Sequence, residues 1–398
     1  MLQPFKEFDM GISTSSRLNG IGEYYFSGKL REIDQLNQQG KAIINLGIGS
    51  PDLPPHPSVI DALNAAAAQP QVHGYQNYKG LPILRKAMAN WYQRSYSVTL
   101  NPDKEILPLM GSKEGIMHIC MTYLNTGDEA LIPNPGYPTY SSAVILAGGT
   151  PVTYSLLEAN DWEPDWNALA AMDLSKVKLM WVNYPHMPTG KSATKVLFEK
   201  LIAFAKKNDI LICHDNPYSF ILNHHPISIL HTPGSMEVAV ELNSLSKSHN
   251  MAGWRVGMLC GNEQRIGEVL TFKSNMDSGM FLPVQMAAVA ALELGEEWQK
   301  EVNEIYAARR EKVFELLQLL GCSPAPNQVG LFVWASIPLE YENGYELSNE
   351  VLYKAGVFIT PGGIFGSAGN RFIRVSLCGS IDRFTEAIER IKNRLSGN

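Results

Sequence analysis

Between about residues 105 and 260, short apolar runs alternate with amphipathic stretches, and this alternation constrains the fold more than any other feature. Runs rich in Val, Ile and Leu that are separated by helix-length segments are typical of a parallel sheet with helices on both faces. The run LMWVN at 179–183 is apolar almost throughout, as a strand covered on both faces should be. The sequence therefore predicts an α/β fold. The predicted strands begin at Glu105, Ala130, Pro151, Lys178, Ile210, Glu237 and Trp254.

One helix of this pattern can be assigned a buried face. The stretch ATKVLFEKLIAFAKKND lies between LMWVN and the next apolar run, ILICH. A strand, a helix and a second strand in this order predict a parallel pair with a right-handed crossover. The helical period places on one face the side chains of Val196, Leu197, Leu201, Phe204 and Ala205.

The length of the chain and a change of pattern predict two domains. The 398 residues exceed the ~250–300 at which single cores usually stop growing. A long helical pattern follows Pro283, and from Cys322 onward the chain changes to short strands with a mixed α+β character. We expect a large domain over 51–285, with a mostly parallel sheet between helices. A smaller α+β domain is expected over 286–398, with the N-terminal segment 1–50 packed against it.

Composition and charge argue against several classes of partner. The net charge is −6 and the isoelectric point is near 5.9, so the basic footprint that nucleic acid or anionic membrane requires is absent. The five cysteines are scattered and odd in number, which does not suit a disulfide framework. No leader or run of ~18 apolar residues is evident, and the histidines form no H-E-x-x-H pattern. We expect a cytoplasmic protein with small-molecule partners and no metal site.

The segment SLSKSHNMAGWRVG, at 244–257, places Lys247 in a turn rich in Ser and Gly after a predicted strand, with Arg255 eight residues on. A lysine held in a protein-lined site has a lowered pKa and becomes a usable nucleophilic amine. Serines and an arginine around it suit a phosphate dianion. The alternative is a surface lysine at the end of a strand, which is the more common case for such a segment taken alone.

Two further segments follow predicted strands. In HDNPY, Asp215 ends an apolar strand and Tyr218 follows three residues later, so the carboxylate can face the crevice where α/β sheets bind ligands. There it could pair with a protonated ring nitrogen, although a helix cap is the alternative. In MGSKEG, Gly111 and Ser112 precede a helix whose free N–H groups attract phosphate, unless they form only a cap. NYPHMPTG, at 183–190, is compatible with a rigid turn.

Taken together and in order, these segments resemble the fold-type I pyridoxal-phosphate aminotransferases of class I/II, over essentially the whole chain. The resemblance implies that fold, and pyridoxal 5′-phosphate as the cofactor. The matching segments are LGIGSPDLPPHP, HGYQNYKGLPILRKAMANW, MGSKEG, NPGYPTY, NYPHMPTG, DNPY, SLSKSHNMAGWRVG and PGGIFGSAGNRFIRVSL.

The resemblance also implies a role for individual residues. Lys247 would hold the cofactor as a Schiff base, and Asp215 would pair with its pyridine nitrogen. Tyr218 would donate to the 3-oxygen, and Tyr137 would stack on the ring. The other expected cofactor contacts are Ser112, Lys113, Asn183, Met187, Ser244, Ser246, Arg255 and Tyr75 of the partner subunit.

Substrate binding is implied at two positions. Arg374, in RFIRVSL, matches the arginine that binds the substrate α-carboxylate, and Gly49 matches a glycine whose backbone lies near that carboxylate. Met187 departs from the family, which usually has asparagine just before P-T-G to bond the 3-oxygen and support the arginine. Its absence removes a donor worth ~1 kcal/mol. Either Tyr218 suffices alone, or His186 or Asn183 compensates.

The implied activity is transfer of an amino group between an α-amino acid and a 2-oxo acid. The resemblance implies a homodimer with shared active sites, because Tyr75 and the segment 274–285 would serve the neighbouring subunit. The same constellation can also run C–S lyase or other chemistry at Cα. The pattern D-S-G-x-F, at 277–281, resembles the branch containing LL-diaminopimelate aminotransferases, while alanine, methionine and aromatic donors remain open.

Overall fold

The computed structural model describes residues 12–23 and 25–395, and its largest element is a seven-stranded sheet. A first strand, β1 (Ile44–Asn45), lies outside this sheet. The strands of the large sheet are β2 (Ile106–Leu109), β3 (Glu129–Asn134), β4 (Thr150–Ser155), β5 (Val177–Asn183), β6 (Leu211–Asp215), β7 (Ala239–Ser244) and β8 (Gly257–Cys260).

The strands lie in the order β2-β8-β7-β6-β5-β3-β4, and only β8 runs antiparallel to its neighbours. This confirms the predicted, mostly parallel sheet. Each strand begins within three residues of its predicted start. The largest error falls on β8, which was predicted from Trp254, because residues Ala252–Trp254 form a 3-10 turn before the strand begins.

Strand β5 shows why its sequence is apolar almost throughout. Met180 and Val182 are buried in a hydrophobic cluster on one face of the sheet, while Leu179 and Trp181 are buried in a second cluster on the other face. Successive side chains of a strand point to opposite faces, so a strand covered on both sides needs apolar residues at consecutive positions. The sheet is therefore the central layer of the α/β part of the molecule.

Helices flank the sheet and form most of the remaining structure. Several begin with proline in the first turn, where its missing N–H costs no hydrogen bond. The helices are α1 (Tyr25–Gln38), α2 (Pro57–Ala67), α3 (Pro82–Tyr96), α4 (Ser112–Tyr123), α5 (Pro138–Leu146), α6 (Trp166–Ala170), α7 (Lys195–Asn208), α8 (Ser235–Val238), α9 (Leu245–Ser248), α10 (Glu263–Ser274), α11 (Leu282–Leu292), α12 (Glu296–Leu319), α13 (Gly344–Glu350) and α14 (Ile381–Leu395).

Helix α7 follows the prediction except at one flank of its buried face. Its N-terminus is capped by Thr194, whose hydroxyl accepts from the Leu197 N–H at 3.0 Å. Val196, predicted on the buried face, is 57% exposed. The buried stripe is centred farther round the helix and includes two residues that the prediction left out, Phe198 and Ile202. Leu197, Leu201 and Ala205 are buried as predicted, and Phe204 is partly buried.

The C-terminal part carries a second sheet. The long helical pattern after Pro283 forms α11 and α12, and the strands that follow are β9 (Ser323–Pro324), β10 (Phe332–Ser336), β11 (Val357–Phe358), β12 (Thr360–Pro361) and β13 (Phe372–Ser376). Strands β12-β13-β10-β9 form an antiparallel sheet, while β11 pairs in parallel with β1.

Two expectations from the sequence concern membrane-spanning helices and a leader segment. No helix among residues 12–23 and 25–395 is long and apolar enough to cross a membrane. The expectation that no leader segment is present concerns the first eleven residues, and these lie outside the described residues.

Candidate active site

A cavity of about 620 Å³ opens where strands β5, β6 and β7 end. The carboxyl ends of parallel strands are where open α/β sheets bind ligands. Tyr75 is the exception among the predicted site residues, because it is 93% exposed and does not line the cavity. The predicted residues that line it are Gly49, Ser112, Lys113, Tyr137, Asn183, Met187, Asp215, Tyr218, Ser244, Ser246, Lys247, Arg255 and Arg374.

Asp215, the last residue of β6, is a buried carboxylate with one oxygen unsatisfied. Its Oδ2 accepts a hydrogen bond from the Tyr140 hydroxyl at 2.9 Å, whereas no described residue donates to the buried Oδ1. Burial raises the pKa of Asp215 to about 6, against the lowering effect of the Tyr140 hydrogen bond. Buried polar atoms nearly always have a partner, so Oδ1 calls for a donor from a ligand. A protonated ring nitrogen is such a donor.

Sequence reasoning did not identify Tyr140, although it completes the surroundings of Asp215. Its ring stacks on Trp181 of β5, with the ring centroids 5.1 Å apart and the planes at 9°. Tyr137 precedes it by three residues at the N-terminus of α5, and the two rings meet edge to face at 5.6 Å. The spacing of the two tyrosines in NPGYPTY was the available signal, since residues three apart at a helix start share one side.

Lys247 lies in the short helix α9, directly after β7. The turn is fixed by Ser244, whose hydroxyl accepts from the Ser246 N–H at 3.0 Å. The Lys247 ammonium nitrogen Nζ donates to the Gly49 carbonyl at 2.6 Å. Burial lowers the pKa of Lys247, and the positive charges of Arg374 and Arg255 lower it further. A lysine with a lowered pKa is the form of this side chain that acts as a nucleophile or base.

An anion-binding corner lies at the N-terminus of α4. Gly111 caps this helix with φ +92°, and a Cβ there would lie 2.0 Å from Nη2 of Arg255. Only glycine therefore lets the guanidinium approach the helix start. The hydroxyls of Ser244 and Ser246 are 2.7 Å apart and line the same cavity. Helix N–H groups, hydroxyls and a guanidinium together suit a phosphate dianion.

Arg374, on β13, is only 4% exposed, and several neighbouring groups contact its guanidinium. Its guanidinium carbon lies 3.8 Å from the centroid of the Phe332 ring and 4.6 Å from that of Phe365. Nη1 contacts the Met187 sulfur at 3.2 Å, and Nη2 donates to the Gly47 carbonyl at 2.9 Å. The guanidinium is thus oriented before any substrate binds, which suits two-point recognition of a carboxylate. The sequence did not reveal the role of the two phenylalanines.

The structure shows the hydrogen bonds of the two side chains, Asn183 and His186, that were expected to compensate for Met187. The Asn183 side-chain amide forms hydrogen bonds with the backbone. Its Nδ2 donates to the Asp215 carbonyl at 2.6 Å, and its Oδ1 accepts from the Met187 N–H at 2.8 Å. His186 does not line the cavity. Its Nδ1 lies 2.8 Å from the Thr189 hydroxyl, and burial lowers its pKa to about 3. His186 is therefore outside the cavity wall, while Asn183 lines the cavity with an amide that bonds backbone groups.

Tyr218 also lines the cavity, and its phenol hydroxyl is the group expected to donate to the 3-oxygen. Burial raises the pKa of its phenol, with the nearby charge of Arg374 opposing this effect. The hydroxyl therefore stays protonated at neutral pH and can donate a hydrogen bond. Its ring packs edge to face on Phe332, with the centroids 5.9 Å apart, and this contact fixes its direction.

One group of three metal-capable side chains is present in the described part of the chain. It consists of Glu114, His118 and Asp277, and it lies outside the cavity lining. The buried ammonium of Lys273 pairs with the Asp277 carboxylate at 2.7 Å. A positive charge is therefore already in place beside this group.

A parallel sheet that brings a lysine of lowered pKa, an unsatisfied carboxylate and an anion-binding corner into one cavity defines a pyridoxal-phosphate enzyme. The model of the family "Aminotransferase class I and II" matches residues 41–391. The chain belongs to this family. It is a pyridoxal-phosphate-dependent aminotransferase, and its substrates are amino acids and 2-oxo acids.

Curated relatives and solved structures agree with this assignment. The LL-diaminopimelate aminotransferase of Moorella thermoacetica is 41% identical over 386 residues, which cover 96% of this chain and 99% of the relative. The enzyme of the same name from Dehalococcoides mccartyi is 39% identical over 384 residues, with the same coverage. The structure of apo-BacF from Bacillus subtilis superposes with a TM-score of 0.92 at 37% identity, covering 96% of this chain and 98% of BacF.

Proposed function

We propose that Lys247 carries pyridoxal 5′-phosphate and that Asp215 pairs with the cofactor's ring nitrogen. The observation that carries this proposal is the unsatisfied Oδ1 of Asp215, which lies in the same cavity as Lys247. When bound, the cofactor supplies an electron sink for the negative charge that develops at the substrate Cα. The ionised carboxylate of Asp215 favours a protonated ring nitrogen, which strengthens that sink.

The remaining cavity residues orient the cofactor and move a proton. Tyr218 would donate to the cofactor's 3-oxygen, and Tyr137 would pack against its ring. The free Lys247 amine would act as the general base that takes the proton from the substrate Cα, a task that suits its lowered pKa. The residues proposed to hold the phosphate are Ser112, Lys113, Ser244, Ser246 and Arg255.

Arg374 is the proposed site for the substrate α-carboxylate. Two aromatic rings lie close to its guanidinium and both terminal nitrogens are already oriented, so little rotational freedom is lost on binding. Gly49, whose carbonyl accepts from Lys247, lies against the Phe332 ring that also contacts Arg374. Because all α-amino acids and 2-oxo acids carry this carboxylate, both half-reactions use the same arginine.

LL-diaminopimelate is the amino donor that we propose first. The support is the shared name of relatives that are 39–41% identical to this chain over nearly their whole length. A second candidate is an aromatic or other apolar amino acid, because part of the cavity wall is apolar. That part is formed by Phe26, Leu30, Ile48, Phe332 and Phe365.

A panel of donors assayed against 2-oxoglutarate separates the two candidates. LL-diaminopimelate, phenylalanine, tyrosine, methionine, alanine and aspartate are compared by kcat/KM under one set of conditions. The proposal expects the highest value for LL-diaminopimelate. A higher value for phenylalanine or tyrosine would assign the enzyme to aromatic donors instead.

We also propose a homodimer in which each subunit completes the other's active site. Tyr75 is almost fully exposed and does not line the active-site cavity of its own subunit. Its loop packs against the segment 274–285, since a Cβ at Gly279 would lie 2.7 Å from the Gln76 carbonyl oxygen. Met276 and Phe281, in the same segment, are also about half exposed. This exposed apolar surface fits a second copy of the chain.

Mixing two inactive variants tests the shared site. A Tyr75→Ala chain keeps Lys247, and a Lys247→Ala chain keeps Tyr75, so a mixed dimer has one site with both groups intact. Refolding the two variants together should restore about a quarter of wild-type activity if chains associate at random. Activity no higher than the sum of the separate variants would contradict shared sites.

The proposal also covers how the chain divides into domains and where in the cell the protein is located. The proposed packing of the N-terminal segment against the C-terminal domain is supported by the parallel pairing of β1 with β11. The antiparallel sheet β12-β13-β10-β9 is built from the C-terminal part alone. A cytoplasmic location is supported by five unpaired cysteines, a pattern typical of a reducing compartment.

A further inference from the structure

A buried ion pair lies beside Asp215, on the two central strands of the large sheet. His214 of β6 and Glu241 of β7 face each other in the strand register, and both side chains are fully buried. Nδ1 of His214 lies 2.8 Å from Oε2 of Glu241, and Nε2 lies 2.8 Å from the backbone oxygen of Tyr184. Neither residue lines the cavity, so the pair belongs to the support of the site and not to its surface.

The hydrogen-bond partners fix the charge of this pair. A backbone carbonyl can only accept, so Nε2 of His214 must carry a proton for the bond to Tyr184. Glu241 also accepts from the Tyr92 hydroxyl at 2.8 Å, from the Ser228 hydroxyl at 2.9 Å and from the Ile229 N–H at 3.1 Å. Donors around a carboxylate stabilise its ionised form. Nδ1 of His214 must then also carry a proton, which makes the ring an imidazolium.

The neighbouring phenol and thiol groups are neutral and add no further charge beside the pair. Tyr92, Tyr96 and Cys260 are the titratable neighbours of Glu241, and burial raises the pKa of each, so all three are neutral. The phenols that interact with Asp215 are Tyr137, Tyr140 and Tyr218. Burial raises the pKa of these phenols as well.

We propose that His214 and Glu241 are positioning residues for the aminotransferase reaction. The buried imidazolium precedes Asp215 in β6 and keeps that carboxylate ionised, so that it can hold a protonated ring nitrogen. Glu241 in turn keeps the imidazolium charged in a place where an unpaired charge would be lost. The inference rests on the proposed pairing of Asp215 with the cofactor.

Electrostatics of Asp215 agree with this role. Burial raises its pKa, the charge of His214 lowers it, and the charge of Glu241 raises it by less than His214 lowers it. The net effect of the pair therefore favours the carboxylate. Replacing the pair by neutral groups should let Asp215 hold its proton to higher pH.

The double variant His214→Asn/Glu241→Gln tests this directly. It replaces the ion pair by two amides and leaves no unpaired buried charge. The Tyr92→Phe variant is the matched control, because it removes one hydrogen bond from the same carboxylate without changing any charge. The measurement is the affinity of the apoenzyme for pyridoxal 5′-phosphate, followed by absorbance and by quenching of tryptophan fluorescence across the pH range.

Wild-type affinity should fall on the acid side as Asp215 takes up its proton. In the double variant the midpoint of this fall should move upward by about one pH unit, which means about fivefold weaker binding at the wild-type midpoint and close to tenfold weaker binding below it. Tyr92→Phe should lower thermal stability but leave the midpoint in place.

The outcomes separate this inference from the proposed function. A folded double variant with the wild-type midpoint would overturn the role of His214 and Glu241. An Asp215→Asn variant, measured alongside, should bind the cofactor weakly at every pH and show no acid midpoint. If Asp215→Asn instead retained wild-type affinity and pH dependence, the pairing of Asp215 with the ring nitrogen would itself be wrong.

Discussion

Replacing Arg374 by alanine should weaken every substrate of the enzyme to a similar degree. The guanidinium is fixed by stacking on Phe332 and by contacts of its two terminal nitrogens with Met187 and Gly47. It offers a two-point, charge-assisted pair to any α-carboxylate. Alanine removes both donors and the charge, and the rings of Phe332 and Phe365 that contact the guanidinium carry no hydrogen-bond donor.

The size of the effect follows from the hydrogen bonds that are lost. Each hydrogen bond to a charged group contributes ~1.5–3 kcal/mol, so the two together contribute ~3–6 kcal/mol. At ~1.4 kcal/mol for each tenfold change, kcat/KM should fall by about 10²- to 10⁴-fold. Arg374→Lys keeps the charge but not the planar fork, so its loss should be smaller.

Steady-state kinetics with one amino donor and one 2-oxo acceptor measure this prediction. Both kcat/KM values should fall together, while the affinity for pyridoxal 5′-phosphate stays within a few-fold of wild type. Arg371→Ala is the matched control, because Arg371 donates to the backbone oxygens of Ile337 and Pro338 and does not line the cavity. A loss confined to one of the two substrates, or an equal loss in the control, would refute the role of Arg374.

Three further substitutions have defined outcomes. Met187→Asn restores an amide near the cofactor's 3-oxygen and should lower the pH midpoint of the yellow absorbance band by about one unit or less; an unchanged midpoint with full occupancy would mean that another donor already serves this oxygen. Burial raises the pKa of Asp215 from 3.8 to about 6. Above about pH 4 the unfolded chain therefore binds fewer protons than the folded chain, and this difference lowers the free energy of unfolding as the pH rises. Urea unfolding of cofactor-free Asp215→Asn at pH 7 should therefore show a gain of up to about 3 kcal/mol that disappears below about pH 4, and a loss at pH 7 would contradict the raised pKa. Gly49→Ala would place a Cβ 2.2 Å from the Phe332 ring and should lower kcat/KM, whereas Gly253→Ala, with no atom within 4 Å, should not.

The sequence was sufficient for the elements whose pattern is local. Continuous apolar runs marked the strands of the large sheet, because a strand buried on both faces needs apolar residues at consecutive positions. Lys247 and Asp215 could be placed at one edge of the sheet because both follow predicted parallel strands. Val196 was assigned wrongly because a helical period gives a stripe of residues but not the angle at which the stripe meets the core.

Contacts between distant segments could not be predicted. Met187 and Arg374 are 187 residues apart, and their contact depends on how β13 packs against the turn after β5. His214 and Glu241 are 27 residues apart on adjacent strands, and only the register of β6 with β7 brings them together. Such pairs depend on three-dimensional packing, for which the composition and period of one segment contain no signal.

The position of the covalent link to the cofactor tests the central claim most directly. Borohydride reduction of the yellow holoenzyme, followed by proteolysis and mass spectrometry of the peptides, locates the lysine that carries pyridoxal phosphate. We predict that the reduced adduct lies on Lys247. An adduct on another lysine, in particular on Lys113, which lines the same cavity, would contradict the assignment of the active site.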